Sequence, residues 1–259
     1  MCDSETAAVS SPKTVIITGA SRGIGLCIAK KFASHAANLV LTDIKIQMNK
    51  LENESKIIEK KYGIQILRQE LDVLDIEQIK NVICNTAKVF STIDILVNNA
   101  GVNILSPSIS LTEEQWDIVL DINLKGAFFM MQETAKMMIK QRDGVIINIS
   151  SQHGLVGNEF RAPYCASKAG LINLSRSLAV EWAKYNIRVN SVAPTFVLTE
   201  NSESLLNDPG FMHNNLPKIP LMRYAIPEDI ANAVYFLSLE ESSMITGHCL
   251  SVDGGWTAI

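Results

Sequence analysis

Seven short runs rich in β-branched and other apolar residues recur along the 259 residues, separated by stretches with helical periodicity, and this alternation constrains the fold most. The runs span 14–18, 38–43, 65–72, 93–98, 145–150, 188–193 and 250–252. Three of them contain unbroken apolar triplets: Val15-Ile16-Ile17, Ile95-Leu96-Val97 and Val145-Ile146-Ile147. Successive side chains of a strand point to opposite faces, so such triplets need both faces covered, as crossover helices cover a parallel sheet. The intervening periodicity predicts helices near 23–34, 47–62, 77–90, 113–141, 164–184 and 227–237, the last opened by Pro227, which suits a first helical turn. The expected fold class is α/β, a single-domain doubly wound fold with a seven-stranded parallel sheet and helices on both faces.

With 47% hydrophobic and 19% charged residues the chain can bury a large core, so one domain is expected over 12–259, preceded by a disordered tail over 1–11. The segment 196–220 breaks the periodicity with Asn, Ser, Pro and Gly among Phe211, Met212 and Leu216, and is expected to be an irregular lid. The formal net charge is -4 and no Lys/Arg run builds a phosphate-tracking face, which argues against a nucleic-acid partner. No apolar stretch reaches the roughly 18 to 20 residues of a membrane span. The first residues lack the basic and apolar regions of a signal peptide, and a cytoplasmic location is expected. Cys2, Cys27, Cys84, Cys165 and Cys249 are scattered without metal-ligand spacing, so reduced thiols and no metal site are expected.

Chemistry enters at the end of the first strand, in Thr18-Gly19-Ala20-Ser21-Arg22-Gly23-Ile24-Gly25. Glycines there permit a tight turn and let backbone N–H groups approach a pyrophosphate at a helix N-terminus. Such a run can also be a plain structural turn, but here a strand precedes it, a helix follows, and Asp43 closes the second strand 18 residues after Gly25. A carboxylate at that place can accept hydrogen bonds from an adenosine ribose; its plainer role would be a helix cap. The second constellation is Tyr164-Cys165-Ala166-Ser167-Lys168, with Ser151 thirteen residues earlier. Positions i and i+4 share a helix face, so the Lys168 ammonium can lie beside the Tyr164 phenol and lower its pKa from about 10, making it a usable acid or base.

Together these motifs resemble those of the short-chain dehydrogenase/reductase family over the chain from about Lys13 onward. The resemblance implies a Rossmann-type domain and a tetrad of Asn123, Ser151, Tyr164 and Lys168. Ser151 rather than Ser150 takes the serine role by its spacing to Tyr164. Ser151 and Tyr164 would polarise the substrate oxygen, Tyr164 would move the proton, Lys168 would also bond the nicotinamide ribose, and Asn123 would hold a water. Cofactor contacts are implied for Gly19, Ser21, Arg22, Gly23, Ile24 and Gly25, for Asp43 with Ile44, and for the adenine-side Asp72-Val73. The Asn98-Asn99-Ala100-Gly101 motif adds Asn99, Ala100 and Gly101. Beyond Tyr164 and Lys168, Pro194, Thr195, Val197 and Thr199 complete the set. Where many members carry Pro-Gly after the sixth strand, this chain has Pro194-Thr195-Phe196-Val197-Leu198-Thr199, similar to the L-xylulose reductase branch and related polyol dehydrogenases.

The expected activity is NAD-dependent interconversion of a secondary alcohol and a ketone on a sugar, sugar acid or polyol. A 3-oxoacyl-thioester reductase is the alternative, and a catalytically silent dinucleotide-sensing protein stands third. NAD is preferred over NADP: Asp43 would repel a 2′-phosphate, Ile44 offers no compensating cation, and the basic Arg22 in the glycine turn pulls the other way more weakly. Substrate binding is expected from Ser151, Tyr164 and His153, although a loop histidine without a role fits His153 equally. Glu159 and Arg161 either bond substrate hydroxyls or pair with each other on the surface. A homotetramer is expected because Leu171, Ile172, Leu174, Leu178, Ala179, Val180 and Trp182 surround too much of the 164–184 helix for one sheet contact. Phe128, Phe129, Met130, Met131, Met137 and Met138 do the same over 113–141.

Overall fold

A computed structural model describes residues 12–258, so the tail expected over 1–11 lies outside the described residues. The seven apolar runs form strands β1 (Thr14–Thr18), β2 (Asn38–Asp43), β3 (Ile66–Glu70), β4 (Ile95–Asn98), β5 (Gly144–Ile149), β6 (Ile187–Pro194) and β7 (Cys249–Val252). They pair in parallel in the order β3-β2-β1-β4-β5-β6-β7. Between them lie α1 (Gly23–Ala33), α2 (Met48–Tyr62), α3 (Ile76–Phe90), α4 (Glu113–Leu120), α5 (Ala127–Gln141), α6 (Ala162–Trp182), α7 (Glu203–Leu206), α8 (Pro209–Asn215) and α9 (Pro227–Ser238). This is the expected doubly wound Rossmann-like sheet. The strand order reverses between β1 and β4, which opens a crevice at their carboxyl ends.

The β1 triplet shows why both faces need cover. Val15 and Ile17 join a core with Leu26, Ile28 and Phe32 of α1, Leu51 of α2 and Ile230 and Val234 of α9. Ile16 faces the other way, into Ile79 of α3, Met130 and Met138 of α5, and Leu171 and Leu178 of α6. All three β1 residues are fully buried, and each aliphatic side chain so buried contributes about 1.5–3 kcal/mol. Local signals set the helix starts. Asp75 caps α3 by accepting from the N–H groups of Glu77 and Gln78 at 2.9 and 3.1 Å, and Thr112 with Gln115 forms a capping box on α4.

The helix expected over 113–141 is interrupted. A π-helical segment, Asp121–Gly126, lies between α4 and α5. Its Asn123 is pulled inward by the loop after β4: the side-chain oxygen accepts from Val102 N–H and the amide donates to Val102 O, both at 2.8 Å. An extra residue in one turn is the usual form of such a bulge. The 196–220 segment is also more regular than expected, since it holds α7, α8 and a short 3₁₀ turn at Leu216–Lys218 and is anchored by buried Leu206 and Ile219.

The apolar excess on α6 is largely satisfied within the chain. Leu171, Ile172, Leu178, Ala179 and Trp182 are buried, because α6 packs against β6, α4, α5 and the 3₁₀ turn Gln152–Gly154. Met130, Met131 and Met138 of α5 are fully buried as well. Periodicity counts apolar residues around a helix without showing how many neighbours of the same chain surround it. Val180 remains 81% exposed, and Leu124, Phe128 and Leu174 are only partly covered.

Candidate active site

The crevice at the strand ends contains two adjoining hollows. The first, about 380 Å³, is lined by Gly19, Arg22, Gly23 and Ile24 of the glycine turn, by Asp43 and Ile44 after β2, and by Asp72 and Val73 after β3. Asn99, Ala100 and Gly101 after β4 and Thr199 after β6 complete the wall. The second, about 290 Å³, is lined by Ser151, His153, Tyr164, Lys168, Pro194, Thr195 and Val197. Ile24, Asn99, Gly101, Val102 and Thr199 belong to both, so one cleft runs from Asp43 to Tyr164.

The glycine turn is shaped by its lack of side chains. Gly19 has φ +65°, and a Cβ on Gly25 would lie 2.3 Å from Gly19 O. Ser21 and Gly25 therefore stand behind the wall rather than on it. The backbone N–H of Ser21 donates to Asp43 Oδ2 at 3.0 Å, and that of Ile44 donates to Oδ1 at 2.9 Å, which fixes the carboxylate at the rim of the first hollow. Asn99 braces the same turn: its amide nitrogen donates to Thr18 O and Gly19 O, both at 2.9 Å. Its side chain is thus engaged with the protein while the residue still lines the cleft. A smooth glycine cradle ending at a fixed carboxylate fits a dinucleotide, with pyrophosphate over the turn and an adenosine ribose at Asp43.

Ser151, Tyr164 and Lys168 of the tetrad line the second hollow, and buried Asn123 stands behind its wall against Gly101 and Val102. Lys168 is buried and donates from Nζ to Ile149 O at 2.8 Å, with Nζ 5.7 Å from the centre of the Tyr164 ring. Burial pushes its pKa down to about 8. Gly101 lets the Asn123 and Lys168 side chains come together, since a Cβ there would lie 3.1 Å from Asn123 Oδ1 and 3.4 Å from Lys168 Nζ. The Asn123 amide also donates to Ser167 Oγ at 3.1 Å. Ser151 Oγ accepts from His153 N–H at 3.1 Å. The expected lowering of the Tyr164 pKa by Lys168 requires correction. Burial raises the phenol pKa, and the opposing influences come from Ser151 and Arg161. The Lys168 ammonium donates to a backbone carbonyl while standing over the Tyr164 ring.

His153 does line the cleft. Its ring lies 6.4 Å from that of Tyr164 and 5.8 Å from that of Phe196, and burial together with the nearby Arg161 pushes its pKa down to about 4. Phe196 in turn meets Phe211 of α8 and Trp256 edge-on, at 5.1 and 5.5 Å, so aromatic rings close this end. Glu159 is exposed while Arg161 is buried, which removes the surface pair considered for them. Sequence reasoning missed Gln152 and Asn103 in the second hollow and Thr42, Gln47, Leu71, Ile122 and Asn201 in the first. They are neighbours of recognised motifs with no chemical signature of their own. Cys27 and Cys249 are pushed up to about 12 and 11 by burial, which suits inert thiols, and the four described cysteines are unpaired. Among the described residues no helix is long and apolar enough to cross a membrane.

A glycine cradle feeding a cleft that ends on a tyrosine, a lysine and a serine defines an oxidoreductase that works with a nicotinamide dinucleotide on hydroxyl or keto groups. The chain belongs to the short-chain dehydrogenase/reductase family: residues 19–257 match the family model described as enoyl-(acyl carrier protein) reductase. It is 39% identical over 245 residues to a 3-oxoacyl-[acyl-carrier-protein] reductase of Thermotoga maritima, covering 94% of this chain and 97% of that protein. It is 37% identical over 246 residues to an NAD-dependent glycerol dehydrogenase of Listeria innocua, covering 95% and 94%. The crystal structure of levodione reductase superposes with a TM-score of 0.88 at 31% identity, over 95% of this chain and 98% of that one.

Proposed function

We propose that the chain uses NAD to interconvert a secondary alcohol and a ketone on a sugar, sugar acid or polyol, acting in the cytoplasm as a homotetramer. The observation that carries the cofactor reading is the Asp43 carboxylate, held by two backbone N–H groups where the ribose of a bound dinucleotide would lie. Its remaining lone pairs can accept from free ribose hydroxyls and would repel the charge of a 2′-phosphate. Arg22 weighs less on the other side. It is exposed, and Glu200 lies in its field and is paired with Lys50 at 2.5 Å.

The bound nicotinamide supplies hydride transfer with the substrate carbon. The chain supplies the rest. Ser151 and the Tyr164 phenol hold the substrate oxygen, and Tyr164 moves the proton at that oxygen. A phenol whose pKa is raised by burial keeps its proton at neutral pH, which suits donation in the reductive direction. Ser151 and Arg161 draw the pKa back toward a value usable for oxidation. Lys168 would bond the nicotinamide ribose of a bound cofactor, and Asn123, at the π-helical segment, holds the loop after β4 and would hold a water that continues the proton path. The Phe196 ring cluster excludes bulk water from the reacting end.

The similarity to the Thermotoga maritima protein favours a second reading, reduction of a 3-oxoacyl thioester. Against it stands the net charge of -4 without a basic docking run for an acidic carrier. A catalytically silent sensor would have no use for the complete Asn123, Ser151, Tyr164 and Lys168 set. The test is kcat/KM for NAD and NADP across polyols, sugar acids and 3-hydroxyacyl thioesters. NAD is expected to be favoured on a polyol or sugar acid, with Asp43→Ala admitting NADP; a wild-type ratio favouring NADP would overturn the role given to Asp43.

A further inference from the structure

The reacting end of the cleft contains a cation without a counter-charge. Arg161 is only 8% exposed and lines the second hollow, three residues before Tyr164 at the start of α6. Among the described residues its guanidinium has no ion pair and no hydrogen bond, and only the Tyr164 and Cys165 side chains favour its charged form. A guanidinium stays protonated even when desolvated, and burying it without an anion is costly. In the lining of the same hollow, Gln152 is 1% exposed, and neither its amide nitrogen nor its amide oxygen has a partner. His153 Nδ1 is equally unpartnered. Buried polar groups are nearly always satisfied, so four orphan atoms on residues around one hollow, Thr195 Oγ1 included, mark where a ligand completes the bonding.

We infer that the substrate carries a carboxylate near the reacting carbon, held by Arg161 and assisted by the Gln152 amide. Resting on the function proposed above, this narrows the substrate class to hydroxy acids and their keto acids, aldonic acids included. Neutral polyols would leave the buried cation unpaired, and a neutral thioester would do the same. A guanidinium presents two parallel N–H donors to a carboxylate, which positions the substrate as well as binding it. Arg161 stands at the N-cap of α6, just before the turn that carries Tyr164, so an anion held there would share one hollow with the proton-transferring phenol. A phosphate dianion fits less well, because among the described residues Arg161 and Lys168 are the only cationic side chains lining the hollow and Lys168 is bonded to Ile149 O.

The test uses the full chain loaded with NAD and two matched pairs, gluconate with glucitol and 3-hydroxybutyrate with 2-butanol. Binding is measured by isothermal titration and turnover by NAD reduction. At least one acid is expected to bind and to exceed its neutral partner in kcat/KM by about 100-fold. That ratio should collapse by about 100-fold in Arg161→Met, mainly through KM, as expected when one partner of a buried charge pair is removed. Arg161→Lys should recover part of it. The Tm of Arg161→Met should equal or exceed that of the wild type, since no protein partner is lost. The inference fails if neither acid binds, if the acid-to-neutral ratio survives Arg161→Met, if glycerol 3-phosphate is preferred to glycerate, or if Tm falls. Acid binding that depends on Arg161, without NAD reduction by any alcohol, would sustain the inference and refute the proposed reaction.

Discussion

Tyr164 illustrates how one side chain acquires its chemistry from burial and neighbours. It lies beside Ser151 and Arg161 at the end of the cleft, and in the proposed reaction it is the residue that moves the proton. Tyr164→Phe should retain fold and NAD binding yet lower turnover by about 10²-fold or more, read by steady-state assay beside a cofactor titration. Near-normal turnover would refute the assignment. His153 yields a stability prediction. Its imidazole takes a proton near pH 6.5 when unfolded but only near about 4 when folded, so between these values the unfolded chain binds more protons. Stability should therefore fall as pH drops from 6.5 toward 4, by an amount on the order of 3 kcal/mol from this residue. Denaturant midpoints at pH 7 and pH 4.5 should differ less in His153→Phe than in the wild type; equal differences would show that the imidazole does not remain neutral.

At the scale of elements, the segment after β6 contains the greatest difference between periodicity and fold. Residues 196–220 were expected to be irregular, yet α7 and α8 form there, with Asp208 capping α8 through Phe211 N–H at 2.8 Å. Most of α8 is exposed, and its main inward contact is Phe211 on the Phe196 ring. An element attached by so little buried surface opens at low cost. Hydrogen exchange over 196–220 should slow when NAD and substrate are both present, and equal protection with and without them would exclude a closing lid. The π-helical segment makes the opposite point: it carries Asn123 to the loop after β4 through bonds that no helical period announces.

For the whole molecule, the uncovered apolar surface on adjoining helices comprises Leu124, Phe128 and Leu174 around Gly170, with Val180 further along α6. This face is smaller than the sequence implied, and a second copy of the chain is its expected cover. Light scattering at micromolar concentration should report a tetramer, and Leu174→Asp should shift it toward smaller species. A monomeric wild type would refute the assembly.

The sequence by itself determined the strand runs, the two-faced burial of β1, β4 and β5, the glycine turn leading to Asp43, and the one-face relation of Tyr164 and Lys168. These follow from period and covalent spacing, which act over a few residues. Tertiary structure alone decided that the Gln152 amide is buried without a partner, that Arg161 is drawn into the cleft without an ion pair while Glu159 stays exposed, and that Lys168 donates to Ile149 O. It also decided that the apolar residues of α6 are mostly covered by their own chain. Burial, hydrogen-bond pairing and the pKa values they set depend on segments brought together from β5, β6 and α6, and no local pattern encodes which groups will be left facing the cleft.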